Sequence, residues 1–339
     1  MIFNYSKVAF IILTFLLLNI LGCSNQKDAL GADNLIQVIC NDDDKEHIKE
    51  FLSKVFSDTI YTPYPEPEYK ISFSDPLTYG KLKKQAYVVV ASIDSGKSHS
   101  GKKLMGKILS KKDYNNMITN EPVIIAENLY AKNQLFMIIN AHTVNQLKNI
   151  EVNKINDYKT LYDQLFYKRQ ERFLLNQHNK SPIGDILKHN YHWSMHTPWG
   201  WEIIKENKDS NFVWIGREEP FQWISCYWEN GNQIMNELEV GEKVWQLPQA
   251  NYGNIKFSDY KFKIKKTLFN NQPGWEISGI WESVNNLLAL GGPFKMFVFY
   301  NNITQNTYYI NTLIHSPGKS KSIYLRQLGL LAKTFKISN

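Results

Sequence analysis

Gln177–Gly184 (QHNKSPIG) separates helix-period from strand-period sequence. Before that segment apolar residues recur at helical spacing, with Ile155, Tyr158, Tyr162 and Leu165 on one stripe. After it they alternate, as in strands with one buried face. The segment itself is polar, and Ser181-Pro182 disfavours a helix running through it. At 339 residues the chain is also long for one core. The expected fold class is therefore α+β in two domains. Residues 35–178 form an N-terminal mixed α/β sandwich, and residues 185–339 an antiparallel sheet closed by a C-terminal helix.

In the first domain Leu35–Cys40 reads as a buried strand, and Asn41–Asp44 offers capping oxygens to a helix ending near Phe56. Pro63, Pro65 and Pro67 predict an extended loop over Tyr61–Tyr69. Tyr69–Phe73 and Ala86–Ile93 read as strands, with helical pieces near Leu77–Lys84 and Lys102–Leu109. Pro122–Leu129 and Gln134–Asn140 pair as a hairpin. Thr143 with Gln146 resembles a capping box before a long helical region, which Asn149, Asn153 and Asn156 interrupt.

Eight strands are expected in the second domain: Trp193–Met195, Trp201–Ile204, Asn211–Gly216, Trp223–Trp228, Phe257–Lys265, Trp275–Trp281, Phe294–Tyr300 and Tyr308–His315. Alternation across Phe257–Lys265 predicts one face with Phe257, Asp259, Lys261, Lys263 and Lys265, and the other with Tyr260, Phe262 and Ile264. Pro317-Gly318 turns into a last helix with Tyr324, Leu328, Leu331 and Phe335 on one stripe.

The N-terminus has its own grammar. Lys7 precedes the apolar run Val8–Leu21, which as a helix reaches about 21 Å against about 30 Å of hydrocarbon. That length suits a signal-peptide core. Leu18-Asn19-Ile20-Leu21-Gly22-Cys23 resembles a bacterial lipobox, with residues 1–22 as signal peptide and Cys23 as the lipid-acceptor sulfur. The alternative is a leader cut elsewhere, with Cys23 a spectator. Residues 23–34 are polar and small, as a flexible tether would be. Ser24, in place of aspartate, points to the outer membrane.

Composition narrows the function classes. The formal charge of +7 falls by one without Lys7, and arginine occurs only at 169, 172, 217 and 326. Nucleic-acid grooves recruit arginine forks, so thinly spread lysine reads as a solvated surface and no nucleic-acid partner is expected. Cys40 and Cys226 sit in apolar runs as buried small hydrophobes, and a disulfide between them stays open. Ala91–Ser98 (ASIDSGKS) fits a relaxed phosphate-loop pattern. Its first glycine is replaced by Ala91 and no Walker-B strand follows, so no nucleotide is expected.

Candidate contact residues cluster at Tyr191–Trp201. His189, His192 and His196 share a face if helical, whereas on a strand His192 and His196 do so alone. Neither pattern has the partners zinc requires, so no metal or cofactor is expected. All nine tryptophans lie between 193 and 281. Most fill strand-like runs, but Trp199 and Trp201 flank Gly200 and are the ones expected on display for a glycan or peptide. Glu218-Glu219 and the Glu237/Glu239 pair read as solvent-facing acids. No nucleophile elbow or metalloprotease helix is present in the sequence, so no catalytic residue is assigned.

Asn211–Glu218 (NFVWIGRE), Gly279-Ile280-Trp281, Gly291-Gly292-Pro293-Phe294 and His315–Lys319 (HSPGK) form an ordered set. With the lipobox and Glu171-Arg172, they resemble domain-of-unknown-function family 4837, predicted lipoproteins of Bacteroidota, over nearly the whole mature chain. The family has no established activity, so the resemblance implies a lipid-anchored envelope protein and transfers no site. The second half is also similar in element order to PsbP-like extrinsic proteins, an analogy of architecture alone. The expected function is a non-enzymatic binding or accessory module, held to the outer membrane through its N-terminal lipid and serving an envelope protein or glycan. The alternative is an envelope hydrolase with an unrecognised site.

In cells fed labelled palmitate, the wild-type chain is expected to carry label and Cys23→Ala to yield an unlabelled, uncleaved or soluble product. A variant cleaved and detergent-extracted like wild type contradicts the lipobox reading.

Overall fold

The computed structural model describes residues 26–62, 64–94, 99–176, 180–284 and 290–338. The leader, Cys23, and Ser95–Ser98 of the phosphate-loop-like segment lie outside the described residues.

The N-terminal unit is a five-stranded sheet with helices on both faces. Its strands are β1 (Leu35–Ile39), β4 (Lys70–Ser74), β5 (Tyr87–Ile93), β6 (Val123–Glu127) and β7 (Leu135–Ala141), in the order β4-β1-β5-β7-β6. All neighbours are parallel except the β6–β7 hairpin. A parallel strand covered on both faces needs apolar residues at every position, and β5 and β7 are buried throughout. On one face Val38, Val89 and Met137 meet α1 (Lys45–Val55) and α6 (Val152–Leu174). On the other, Val88, Val90 and Phe136 meet α3 (Ser100–Ile108) and α4 (Lys111–Thr119). Short helices α2 (Tyr79–Leu82) and α5 (Val144–Lys148) complete the unit. The α5 cap forms as read: the Thr143 hydroxyl accepts from the Gln146 N–H at 3.3 Å, and the Gln146 side chain accepts from His142.

The C-terminal unit is an antiparallel sheet in the order β12-β13-β14-β15-β11-β10-β9. Its strands are β9 (Glu202–Asn207), β10 (Phe212–Arg217), β11 (Phe221–Asn230), β12 (Ile255–Phe269), β13 (Gln272–Ser283), β14 (Gly291–Asn301) and β15 (Asn306–His315). Helix α9 (Ser322–Ala332) closes one face with α7 (Ile183–Tyr191), while α8 (Glu237–Asn251) covers the other. Strands β8 (Trp193–Ser194) and β16 (Lys336–Ile337) pair beside α7. The α+β class and the division of sheet types are as read from the sequence.

Four details differ. Residues 27–34 are not a free tether: Ala29 and Leu30 donate to the Lys132 and Lys84 carbonyls at 2.8 and 3.0 Å, and Asp28 and Asp33 pair with Arg172 and Arg169. The proline-rich loop is a hairpin of β2 (Thr59–Tyr61) and β3 (Pro65–Pro67) reaching the other unit. Helix α8 lies where no element is expected from the sequence. Finally, the alternation of β12 breaks at a bulge. Ser258 faces Ile280 and Lys263 faces Ser278, so four residues stand opposite Gly279 alone. Lys261 takes φ +60° to make this turn. The extra residues change the parity, and Phe257 and Phe262 both reach Phe294 on one side of the sheet.

The two units are locked by one buried cation. Arg326, on the side of α9 away from the sheet, donates to Asp163 of α6 at 2.8 Å and to the Tyr69 hydroxyl at 3.2 Å. Its guanidinium carbon lies 3.5 Å from the Phe166 ring centre. Beside it, Glu66 of β3 accepts from the Lys321 and Ser322 N–H groups at 2.7 and 3.2 Å, satisfying donors at the start of α9. Arg326→Ala is expected to cost about 3 kcal/mol in urea unfolding, the low end for a broken buried pair, because Asp163 keeps Lys159. A loss under about 1 kcal/mol contradicts the clamp.

Candidate functional site

The expected contact residues do not assemble. Thr197–Gly200 turns tightly, with Gly200 at φ +80°. Trp199 stands 79% exposed on this turn, but Trp201 is 5% exposed and packs in the core with Trp193 and Met195. The expectation that both are displayed is corrected: Trp201 leads into β9 and points to the α9 side. His192 and His196 alternate with buried Trp193 and Met195, as a strand reading requires. His192 ends α7 in a left-handed conformation, exposed. The His196 ring instead meets the Leu174 carbonyl at 2.8 Å. It borders a cavity of about 500 Å³ with Lys180, Asp185, Lys333 and Thr334, to which His192, Trp199 and Trp201 do not contribute. Burial holds the His196 imidazole below its ordinary range, against the opposing pull of that carbonyl.

Other sequence candidates resolve simply. Cys40 and Cys226 are free thiols buried in different cores, and burial pushes Cys40 up to about 12. Glu218, Glu219, Glu237 and Glu239 are exposed, and Glu239 serves the α8 cap by accepting from the Met235 N–H at 3.1 Å. The described part of the phosphate-loop-like segment lies where the sheet reverses its winding, between the carboxyl ends of β1 and β5. There Asp94 holds Lys102 at 2.8 Å and Tyr114 at 3.3 Å. His99 approaches buried Asp44 at 3.9 Å, and burial raises the Asp44 carboxyl despite the Ile93 N–H and His99 beside it. Among the described residues no three His, Cys, Asp or Glu side chains are grouped to hold a metal ion.

A larger concavity lies instead at one end of the C-terminal sheet. It is a groove of about 720 Å³ between the β12–β13 turn and the segment that enters α8. Its construction follows from the register. Lys266 faces Trp275 and Leu268 faces Pro273 across the ladder, so all four side chains share the α8 side. The Trp275 indole N–H donates to the Ile234 carbonyl at 3.3 Å, fastening the incoming segment to the sheet. Asn236 caps α8 by accepting from Glu239 at 3.0 Å, which fixes the backbone of Met235 next to it. Gly274 is required by close approach, since a Cβ there would lie 2.3 Å from the Val298 carbonyl oxygen. Met235 and Leu268 are left 73% and 67% exposed on the rims, with Tyr300 and Asn302 at the end. Sequence reading missed this groove because its walls meet only through strand pairing. Asn236 with Glu239 was a readable cap.

Residues 180–334 match the family model described as domain of unknown function (DUF4837). The match spans the C-terminal unit, including the groove and Arg326, rather than nearly the whole mature chain. Comparison with curated proteins returned no match. Among solved structures, the Ran-binding protein Mog1p of Saccharomyces cerevisiae is 11% identical at a TM-score of 0.32, covering 44% of this chain and 91% of that one. LpqN of Mycobacterium tuberculosis, described as involved in cell envelope biogenesis, is 12% identical at 0.27, covering 43% and 83%. A protein of Bacteroides thetaiotaomicron is 7% identical at 0.29, covering 44% and 46%.

Because the His196 ring is held neutral by burial, protonation opposes the folded state. Its contribution to stability is present above the ordinary histidine range and is lost as pH falls through that range. Urea midpoints at pH 7 and pH 5 should differ less in His196→Gln than in wild type. An unchanged difference contradicts the assignment.

Proposed function

We propose that this chain is a lipid-anchored cell-envelope protein whose C-terminal unit binds a partner, protein or glycan, without catalysing a reaction. The observation that carries the reading is the groove beside Trp275. It joins two exposed apolar side chains, Met235 and Leu268, to an aromatic hydroxyl and amide groups on a rigid sheet end. A few polar groups on an apolar concavity of several hundred Å³ are the usual make-up of a binding site. The groove lies inside the region that matches the family model, so it belongs to the part of the chain shared with relatives. No general acid, base and nucleophile face one another across it. Met235 and Leu268 bracket its mouth as apolar anchors would.

The anchoring rests on the sequence of the leader. Among the described residues no helix is long and apolar enough to cross a membrane. The segment from Lys27 runs against the N-terminal unit, with Asp28 paired to Arg172 of α6.

Crosslinking in intact cells, followed by detergent extraction, identifies what the protein touches. Met235→Asp with Leu268→Asp is expected to reduce the captured partner at least tenfold while leaving the thermal midpoint within a few degrees, since both side chains are exposed. Equal capture by the variant contradicts the groove as the binding surface.

A further inference from the structure

A second cavity, of about 630 Å³, lies between the two units, where the β2–β3 hairpin faces the bulged end of β12. Its sheet wall carries four ammonium groups: Lys261, Lys263, Lys265 and Lys295. Lys265 and Lys295 reach the same Glu276 oxygen at 2.9 and 3.5 Å, which places their nitrogens within about 6.4 Å of each other. Two cations thus share one carboxylate. Burial opposes ionisation of Glu276, but the two lysines outweigh it and hold the carboxyl below its ordinary range. The side chain is therefore a fixed anion that cannot neutralise both cations.

On the facing wall Asp58 is held by Lys159 at 2.8 Å and Glu68 lies 3.9 Å from Arg326, and both cations also pair with Asp163. Glu237 remains on the rim, in the first turn of α8. With Lys159 and Arg326 counted, six cations stand against Asp58, Glu68, Asp163, Glu237 and Glu276, which leaves the cleft region net positive by one charge. The bulge makes this arrangement. It lifts Lys261 out of the ladder, setting its ammonium 4.6 Å from the Tyr61 ring centre on the hairpin and 5.7 Å from that of Tyr260. Lys263, next in the same excursion, is exposed beside Ser278. Phe262 and Ile264 also border the cleft but turn to the other face of the sheet, into the core under α8. A non-glycine residue held at positive φ beside a cavity is an uncommon feature that a sheet edge alone does not need.

We propose that this inter-unit cleft binds a phosphate group, with Lys261, Lys263, Lys265 and Lys295 as its cationic wall. Lysine ammoniums are point charges that close around a tetrahedral anion from several directions, whereas planar carboxylates are matched by arginine forks, which the cleft wall lacks. The phosphate can belong to a lipid headgroup or to a free soluble ester. The cleft is separate from the groove beside Trp275, so this inference stands or falls independently of the proposed function.

The test titrates the full chain, in low salt, with inorganic phosphate, with dihexanoyl phosphatidic acid below its micelle concentration, and with dihexanoyl phosphatidylcholine as control. Saturable binding of phosphate and phosphatidic acid alike supports a site for a free phosphate group. Binding of phosphatidic acid alone supports a lipid headgroup. In either case Lys263→Gln with Lys265→Gln should weaken binding at least tenfold, while Lys112→Gln with Lys208→Gln, exposed and outside the cleft, should change it less than twofold. All four side chains are exposed, and matching thermal midpoints confirm that the variants fold. Absence of saturable binding, equal binding of phosphatidylcholine, or equal loss in both double variants overturns the proposal.

Discussion

A guanidinium taken out of water needs a counter-charge inside the protein, and Arg326 finds it in the other unit, through Nη2. Its partners, Asp163 and Tyr69, belong to the N-terminal sheet-and-helix layer, while its own helix lies on the C-terminal sheet. Burying an unpaired charge costs several kcal/mol, so the helix cannot sit on its sheet with the other layer absent at no cost. Helix α9 is consequently buried on two sides, by Leu328 and Leu331 toward the sheet and by Arg326 toward α6. Gln327 donates to Gln170 of α6 at 2.7 Å alongside it. The Glu66 hairpin follows from the same docking, because it supplies the carboxylate that the start of α9 otherwise lacks. The cleft beside that hairpin exists only while the two units are held together.

Much of this was readable. Uninterrupted apolar strands such as Tyr87–Ile93 and alternating stretches such as Trp275-Glu276-Ile277-Ser278 state their own burial, and they decide the fold class. The stripe of the last helix was legible too, yet it described only half of that helix. Arg326 lies off that stripe, and nothing in the sequence says that a second layer covers it. Arginine's scarcity was the available signal: Arg169, Arg172 and Arg326 each fasten separate segments, where the abundant lysines mostly face solvent. Helix α8 escaped notice because Gly241 and Pro248 interrupt an otherwise clear stripe of Val240, Val244 and Leu247. Tertiary packing overrides both weak positions. The β12 bulge was invisible, since a change of parity depends on the partner strand.

The candidate sites divide along the same line. Sequence clustering drew attention to Tyr191–Trp201, and the fold spends most of that segment on structure. Trp193 and Trp201 fill the core, and His196 answers the Leu174 carbonyl. His192 and Trp199 remain on display. The two larger concavities are assembled instead from strand ends and from the junction of the units. One is apolar with amide edges, and the other is lined by ammonium groups. Their characters differ enough that a single ligand would not suit both.

Every tryptophan lies in the C-terminal unit, so indole fluorescence reports its unfolding alone. Hydrogen exchange over Tyr87–Ile93, the central strand of the other unit, reports the N-terminal layer. Following both in one urea series tests whether the buried arginine makes the two layers a single body. The account predicts one shared midpoint. Loss of exchange protection at a urea concentration clearly apart from the fluorescence transition would contradict it.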